Sequence, residues 1–168
     1  MLVYLFPTEL EAAMFREQMP DAEVVISGVG QAATAATLAR IVPLYGRDAC
    51  YVLAGIAGSY GDAVATGDVV EVVSERCAEL PERFVVEYRV KPRTALRGVI
   101  SNTVSRGDGA LLGAEIENME GAALFAVAEA MGLCAVQIRA ISNRVGESFE
   151  KWHTEEALVA LTGVLKNI

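Results

Sequence analysis

Histidine is almost missing from this chain: His153 is the single one among 168 residues. One histidine leaves no His-based zinc spacing and argues against a Ser-His-Asp triad. Cysteine is sparse as well. Cys50, Cys77 and Cys134 are far apart and form no CxxC, and their odd number suits free, inert thiols in a reducing cytoplasm. Positive charge is scarce, with 14 Lys and Arg against 22 Asp and Glu, a net charge of −8. Without a basic patch, that balance argues against nucleic acid as a partner. No uncharged apolar run reaches the ~18 residues of a membrane span. The longest, Ala49–Ala57, has the length of a core strand. The start, MLVYLFPTELEAA, lacks the basic region of a signal peptide. Internal repeats and low-complexity linkers are also absent.

What is present is apolar and regularly punctuated. Hydrophobic residues make up 53% of the chain and charged residues 21%, which excludes intrinsic disorder and fits one globular domain spanning residues 1–168. Leu2–Phe6 reads as a strand closed by Pro7. Thr8 and Glu11 fit a capping box that opens a helix over Glu9–Gln18. Further strands are expected at Glu23–Ser27, Tyr51–Ala54, Asp68–Ser74, Arg97–Ile100 and Ala135–Ile141. Helices are expected over Gln31–Val42, Met119–Met131 and Glu155–Lys166. The charged stretch Glu75–Arg97 reads as a surface excursion. Alternating strands and helices imply a three-layer α/β/α domain around a mixed, mainly parallel central sheet. Ligands then sit beyond the carboxyl ends of the strands, at Pro7–Glu11, Gly28–Gln31, Gly55–Gly61, Asn102–Ser105 and Ser142–Val145.

Each of those segments has a plain reading beside a functional one. Gly28-Val29-Gly30-Gln31-Ala32-Ala33 approximates a dinucleotide fingerprint. The following strand ends Leu53-Ala54-Gly55, without the acid that would hold a ribose, so a tight turn or another small ligand fits as well. Gly55–Gly61 lacks the Gly-Lys-Ser/Thr of a P-loop and also reads as a strand–helix connection. Acids at Glu117 and Glu120 could be no more than dipole partners of a helix start. Ser142-Asn143 could be a turn, and Glu11 a capping acid. Trp152 reads as a packing anchor for the last helix, and His153 as a solvent-facing residue at its start.

Taken together and in order, these segments resemble the nucleoside phosphorylase/nucleosidase superfamily, and within it the futalosine hydrolases. The carrying segments are Pro7–Ala12, Gly28–Gly30, Gly55–Ser59, Gly67–Val70, Asn102–Ser105, Glu117–Ala123, Arg139–Asn143, and Lys151-Trp152 with Ala157-Leu158. The resemblance implies a phosphorylase/hydrolase-like fold and water-driven cleavage of a purine N-glycosidic bond, without metal or cofactor, by a homodimer. It also implies the roles of residues. Glu11 would be the general base, and Glu120 would hold the ribose hydroxyls with Met119 packed on the sugar. Ile56, Ala57 and Gly58 would line the ribose and water side, and Thr103 and Val104 would contact the base. Asn118 and Ser142 would complete the substrate-binding set. Asn143 would face the purine near N7.

The adenine-specific members carry Asp where this chain has Asn143. An amide donates hydrogen bonds but is not a proton donor at neutral pH, which suits a 6-oxopurine nucleoside such as the futalosine of menaquinone biosynthesis, with hypoxanthine as the product. Adenine nucleosidase, phosphorolysis and non-catalytic nucleoside binding are the alternatives. The loops Gly28–Gln31 and Gly55–Gly61 contain no Arg or Lys for a phosphate, which favours water as nucleophile. Relatives carry an active-site flap between the positions of Ser74 and Gly98. Here that stretch is short, so the expected site is open or completed by a partner subunit.

Overall fold

The computed structural model describes residues 1–106 and 113–168. Strand β1 (Leu2–Phe6) passes through Pro7 and the N-cap Thr8 into helix α1 (Glu9–Gln18). Thr8 Oγ1 accepts from the Glu11 amide, so one half of the expected capping box forms. Then follow β2 (Glu23–Ile26), α2 (Gln31–Tyr45), β3 (Cys50–Ser59) and β4 (Val69–Cys77). The chain continues with β5 (Glu87–Arg89), β6 (Gly98–Thr103), β7 (Ile116–Asn118), α3 (Gly121–Met131), β8 (Cys134–Arg144) and α4 (Thr154–Leu165).

The sheet is mixed. Parallel pairs join β1 to β2 and β3, β3 to β8, β4 to β6, and β6 to β7. Antiparallel pairs join β3 to β7, and β4 to β5 and β8. Tracing the pairs from β3 through β7, β6, β4 and β8 returns to β3, so five strands close a circuit, with β1 and β2 extending it on one side. Alternation along the strands feeds two apolar clusters. Val3, Leu5, Tyr51 and Leu53 pack with Leu38 and Ile41 of α2 and Leu124 and Phe125 of α3. Tyr4, Phe6, Val52 and Ala54 pack with Phe15 of α1 and Leu158 and Leu161 of α4. Each large side chain buried this way contributes roughly 1.5–3 kcal/mol.

Several expectations are corrected. Gly55–Ser59 is not a loop: β3 runs on to Ser59 and stays paired with β8 as far as Ser59 opposite Arg144. The glycines leave room for neighbouring side chains to cross the strand. The expected helix from Met119 begins only at Gly121, because Ile116–Asn118 form β7, too short for periodicity to reveal. Asn102, Thr103, Ser142 and Asn143 lie on strands, not on the loops after them. Helix α2 continues through Pro43 to Tyr45. The stretch Glu75–Arg97 is not all surface: it begins with the end of β4, contains β5, and Glu75 is fully buried. Nor are all thiols free. Cys50 and Cys134 face each other across the β3–β8 pair and are joined in a disulfide, leaving Cys77 as the free cysteine.

Candidate active site

The parallel order β1–β3–β8 brings three carboxyl strand ends side by side. The first turn of α1, immediately beyond β1, delivers Glu11, which is only 6% exposed. Its Oε1 accepts from the Ile56 amide of β3 at 3.1 Å, and its Oε2 accepts from the Thr8 hydroxyl at 2.7 Å. Burial lifts the Glu11 pKa above the ordinary carboxylate value. The hydrogen bonds of Thr8 and Ile56 and the charge of Arg139 pull the other way, and the charge of Glu120 adds to the rise. A desolvated carboxylate of this kind is the stronger proton acceptor.

Arg139 stands opposite Gly55 in the β3–β8 register and is fully buried. A buried guanidinium needs partners, and its two terminal nitrogens have them. Nη2 donates to Glu120 Oε2 at 3.1 Å and to Asn118 Oδ1 at 3.0 Å, while Nη1 donates to the Ile56 carbonyl at 3.4 Å. Gly55 makes the crossing possible: a Cβ there would lie 2.8 Å from both Arg139 Nη1 and Glu11 Oε1. Glu120 Oε1 accepts from the Gly30 amide at 2.9 Å. Gly28 and Gly30 hold φ of +80° and +89°, so their loop requires glycine. The turn before α3, the loop after β2, and β8 thus meet at one carboxylate.

At the other end of the site, β8 carries one extra residue opposite β3, between Ala57–Ile141 and Gly58–Asn143. Ser142 donates from its hydroxyl to the Ala57 carbonyl at 3.4 Å and to Asn143 Oδ1 at 2.8 Å. Asn143 Nδ2 donates to the Arg144 carbonyl at 2.9 Å, leaving one N–H for a ligand. A Cβ on Gly58 would lie 3.2 Å from Asn143 Nδ2, so this glycine gives the amide its space.

The structure therefore gathers Glu11, Ile56, Asn118 and Glu120 into one bonded network and sets Ala57, Gly58, Ser142 and Asn143 beside it. Met119 lies half-buried on the turn between Asn118 and Glu120. The Thr103 hydroxyl accepts from the Ala122 amide and so caps α3. Val104 is buried and donates its amide to the Asn118 carbonyl. Two groups had no role in the sequence reading. Arg139 is the clamp between carboxylates, and an arginine amid the apolar run of β8 was the available signal. Glu75 lies behind Asn118 and gave no signal. Trp152 donates its indole N–H to the Glu147 carbonyl and packs on Phe149, steadying the segment that leads into α4. His153 is exposed beside Glu156.

A cavity of about 620 Å³ lies elsewhere, between Glu87–Arg93 and the end of α3, and none of the site residues lines it. Chemistry rather than concavity marks the site. Among the described residues no group of three His, Cys, Asp or Glu could hold a metal ion. No helix among them is long and apolar enough to cross a membrane.

Comparison with known proteins points the same way as the motifs. The family model of the phosphorylase superfamily matches residues 110–168. Futalosine hydrolase of Thermus thermophilus is 28% identical over 152 residues, covering 70% of this chain and 68% of that protein. The fold is shared with 5′-methylthioadenosine/S-adenosylhomocysteine nucleosidase of Colwellia psychrerythraea, solved in complex with adenine. That structure has a TM-score of 0.84 at 17% identity, covering 99% of this chain and 93% of that one. A mutant futalosine hydrolase of Helicobacter pylori gives a TM-score of 0.82 at 13% identity, covering 98% and 96%. The resemblance to the nucleoside phosphorylase/nucleosidase superfamily is thus found by motif and by sequence comparison, and the solved nucleosidases share the fold.

Proposed function

We propose that this chain is a nucleosidase that hydrolyses the N-glycosidic bond of a purine nucleoside, with a 6-oxopurine such as that of futalosine as the preferred leaving base. The observation that carries the reading is the buried arrangement of Glu11, Arg139 and Glu120 around Gly55. Glu11 takes a proton from water as the oxygen forms its bond to the anomeric carbon. The N-glycosidic bond breaks with its electron pair moving to the base, through an oxocarbenium-like transition state. Glu120 accepts hydrogen bonds from the ribose hydroxyls, and the negative charge nearby stabilises the sugar cation. Asn143 donates its remaining N–H to the purine edge. Phosphorolysis is disfavoured because Arg139, the buried cation among the described residues, is already engaged by Glu120, Asn118 and Ile56.

The test is release of free base from futalosine, inosine and methylthioadenosine, with and without phosphate, by the wild type and Glu11→Gln. Phosphate-independent hypoxanthine release is expected, reduced about 10²–10⁴-fold in the variant. The acid limb of kcat/KM should lie above the ordinary glutamate pKa, because the proton acceptor is the ionised, desolvated Glu11. Base released only with phosphate would replace water as the nucleophile. No release from any nucleoside would end the enzyme reading.

A further inference from the structure

The closed circuit of strands has a polar interior, and the proposed chemistry leaves one of its charged members without a role. Glu75 of β4 is fully buried. Its Oε2 accepts from Asn118 Nδ2 at 2.8 Å and from Gln137 Nε2 at 3.2 Å. Asn118 belongs to β7 and Gln137 to β8, and β4 and β7 are not neighbours in the sheet. A bond between them must cross the inside of the circuit. Arg139, reaching Asn118 from β8, crosses it as well.

Asn118 is the hub of this interior. Its Nδ2 donates to Glu75 and, at 2.8 Å, to Ser101 Oγ. Its Oδ1 accepts from Arg139 Nη2 at 3.0 Å, from the Glu120 amide at 2.9 Å and from the Gly121 amide at 2.7 Å. An amide flipped end for end would set its oxygen against the Glu75 carboxylate and its NH₂ against a guanidinium and two N–H groups. Only one orientation is compatible with a carboxylate behind it. That orientation holds the backbone of Glu120 from one side, while Arg139, on the same oxygen, holds its carboxylate from the other.

We propose that Glu75 is a positioning residue: from inside the strand circuit it fixes the Asn118 amide, and through it the turn and the guanidinium that present Glu120. Its bonds run to Asn118 and Gln137 rather than to Glu120 itself. Burial pushes its carboxyl up to about 7, against the pull of Asn118, Arg139, Thr103 and Gln137. Gly121 is part of the same device. A Cβ there would overlap Glu75 Oε2 and Gln137 Oε1, so α3 must begin with glycine to leave the carboxylate in place.

The consequence for turnover rests on the nucleosidase reading; the geometric claim does not. The test compares the wild type with Glu75→Leu, Glu75→Gln and Gly121→Ala by crystallography, nucleoside kinetics and binding of free hypoxanthine. In Glu75→Leu the Asn118 amide loses its fixed acceptor. The Glu120 carboxylate should move by about 1 Å, with a loss of about a hundredfold in kcat/KM. Hypoxanthine affinity should fall less than kcat/KM, because Asn143 draws on neither Glu75 nor Asn118. Glu75→Gln should restore most of the loss: its carbonyl can accept from Asn118, and its NH₂ can donate to Gln137 Oε1, which has no partner among the described residues. Gly121→Ala displaces the carboxylate without removing it and should reproduce the Leu effect, so it carries the test if the Leu variant does not fold. Unmoved Glu120 with unchanged kcat/KM in a folded Leu or Ala variant overturns the proposal. So does a Gln variant as impaired as the Leu variant. If the wild type cleaves no nucleoside, the crystal structures decide alone: displaced Glu120 keeps the positioning role while the nucleosidase reading falls, and unmoved Glu120 overturns the role.

Discussion

The two ends of the candidate site are built on opposite plans. At the carboxylate end, Glu11, Glu120 and Arg139 tie together the start of α1, β3, β7, β8 and the glycine loop after β2. No one of these groups is held by its own element alone. At the amide end, Asn143 is held by its chain neighbours Ser142 and Arg144. Charge crowds the first end, and the bonds that orient the amide at the second are neutral. A charged network buried among five elements fails as a unit, whereas a self-contained amide can change without disturbing what surrounds it. The first arrangement suits chemistry that needs fixed geometry, and the second suits selection among bases.

Removing the clamp should give the largest effect. Arg139→Leu leaves two buried carboxylates, Glu11 and Glu120, without their shared cation. Breaking a buried pair by deleting one partner costs about 3–5 kcal/mol, and urea denaturation should show a loss of that size together with abolished turnover. A loss below about 1 kcal/mol, the range of exposed ion pairs, would mean that the carboxylate end is no more cooperative than the amide end.

A gentler break keeps every polar group. Gly55→Ala would set a methyl 2.8 Å from Arg139 Nη1 and Glu11 Oε1 and 3.2 Å from Pro7 Cδ. Overpacking of this kind costs about 1–3 kcal/mol. Displacing the base and its clamp by a fraction of an ångström should cut kcat by up to about a hundredfold. Wild-type kcat in this variant would show that the network tolerates slack.

How much of this was legible depends on whether the cause is local. Leu2–Phe6 and Glu9–Gln18 match the expected elements because Pro7 and Thr8 punctuate the boundary within two residues. Glu11 and Glu120 could be singled out only because their segments, taken in order with the others, resemble the nucleoside phosphorylase/nucleosidase superfamily. The long reach of β3 was hidden, since glycines that make room for Arg139 look the same in sequence as glycines that make a turn. Glu75 was hidden for a related reason. A charge beside Arg76 reads as solvated, and only closure of the strand circuit shows that Asn118 and Gln137 meet it. The Cys50–Cys134 bond likewise follows from the β3–β8 register, which joins residues 84 apart.

The smallest change in stability should accompany the sharpest change in specificity. Asn143→Asp leaves the Ser142 hydroxyl with an oxygen to donate to. The other oxygen would face the Arg144 carbonyl that Nδ2 now reaches. Two acceptors in contact favour the protonated acid, whose single proton bonds the Arg144 carbonyl in the free enzyme and turns to the base when one is bound, so the cost should stay near the ~1 kcal/mol of one hydrogen bond. A carboxylic acid in that place can pass its proton to a departing adenine, which the amide cannot. The ratio of adenine to hypoxanthine release, measured as kcat/KM for methylthioadenosine over inosine, should rise at least about tenfold in the variant, within the range of general acid catalysis. The rise should be greater at pH 5.5 than at pH 7.5, since the acid must hold its proton to give it. An unchanged ratio at both pH values would separate Asn143 from the leaving base and leave the amide end without its assigned task.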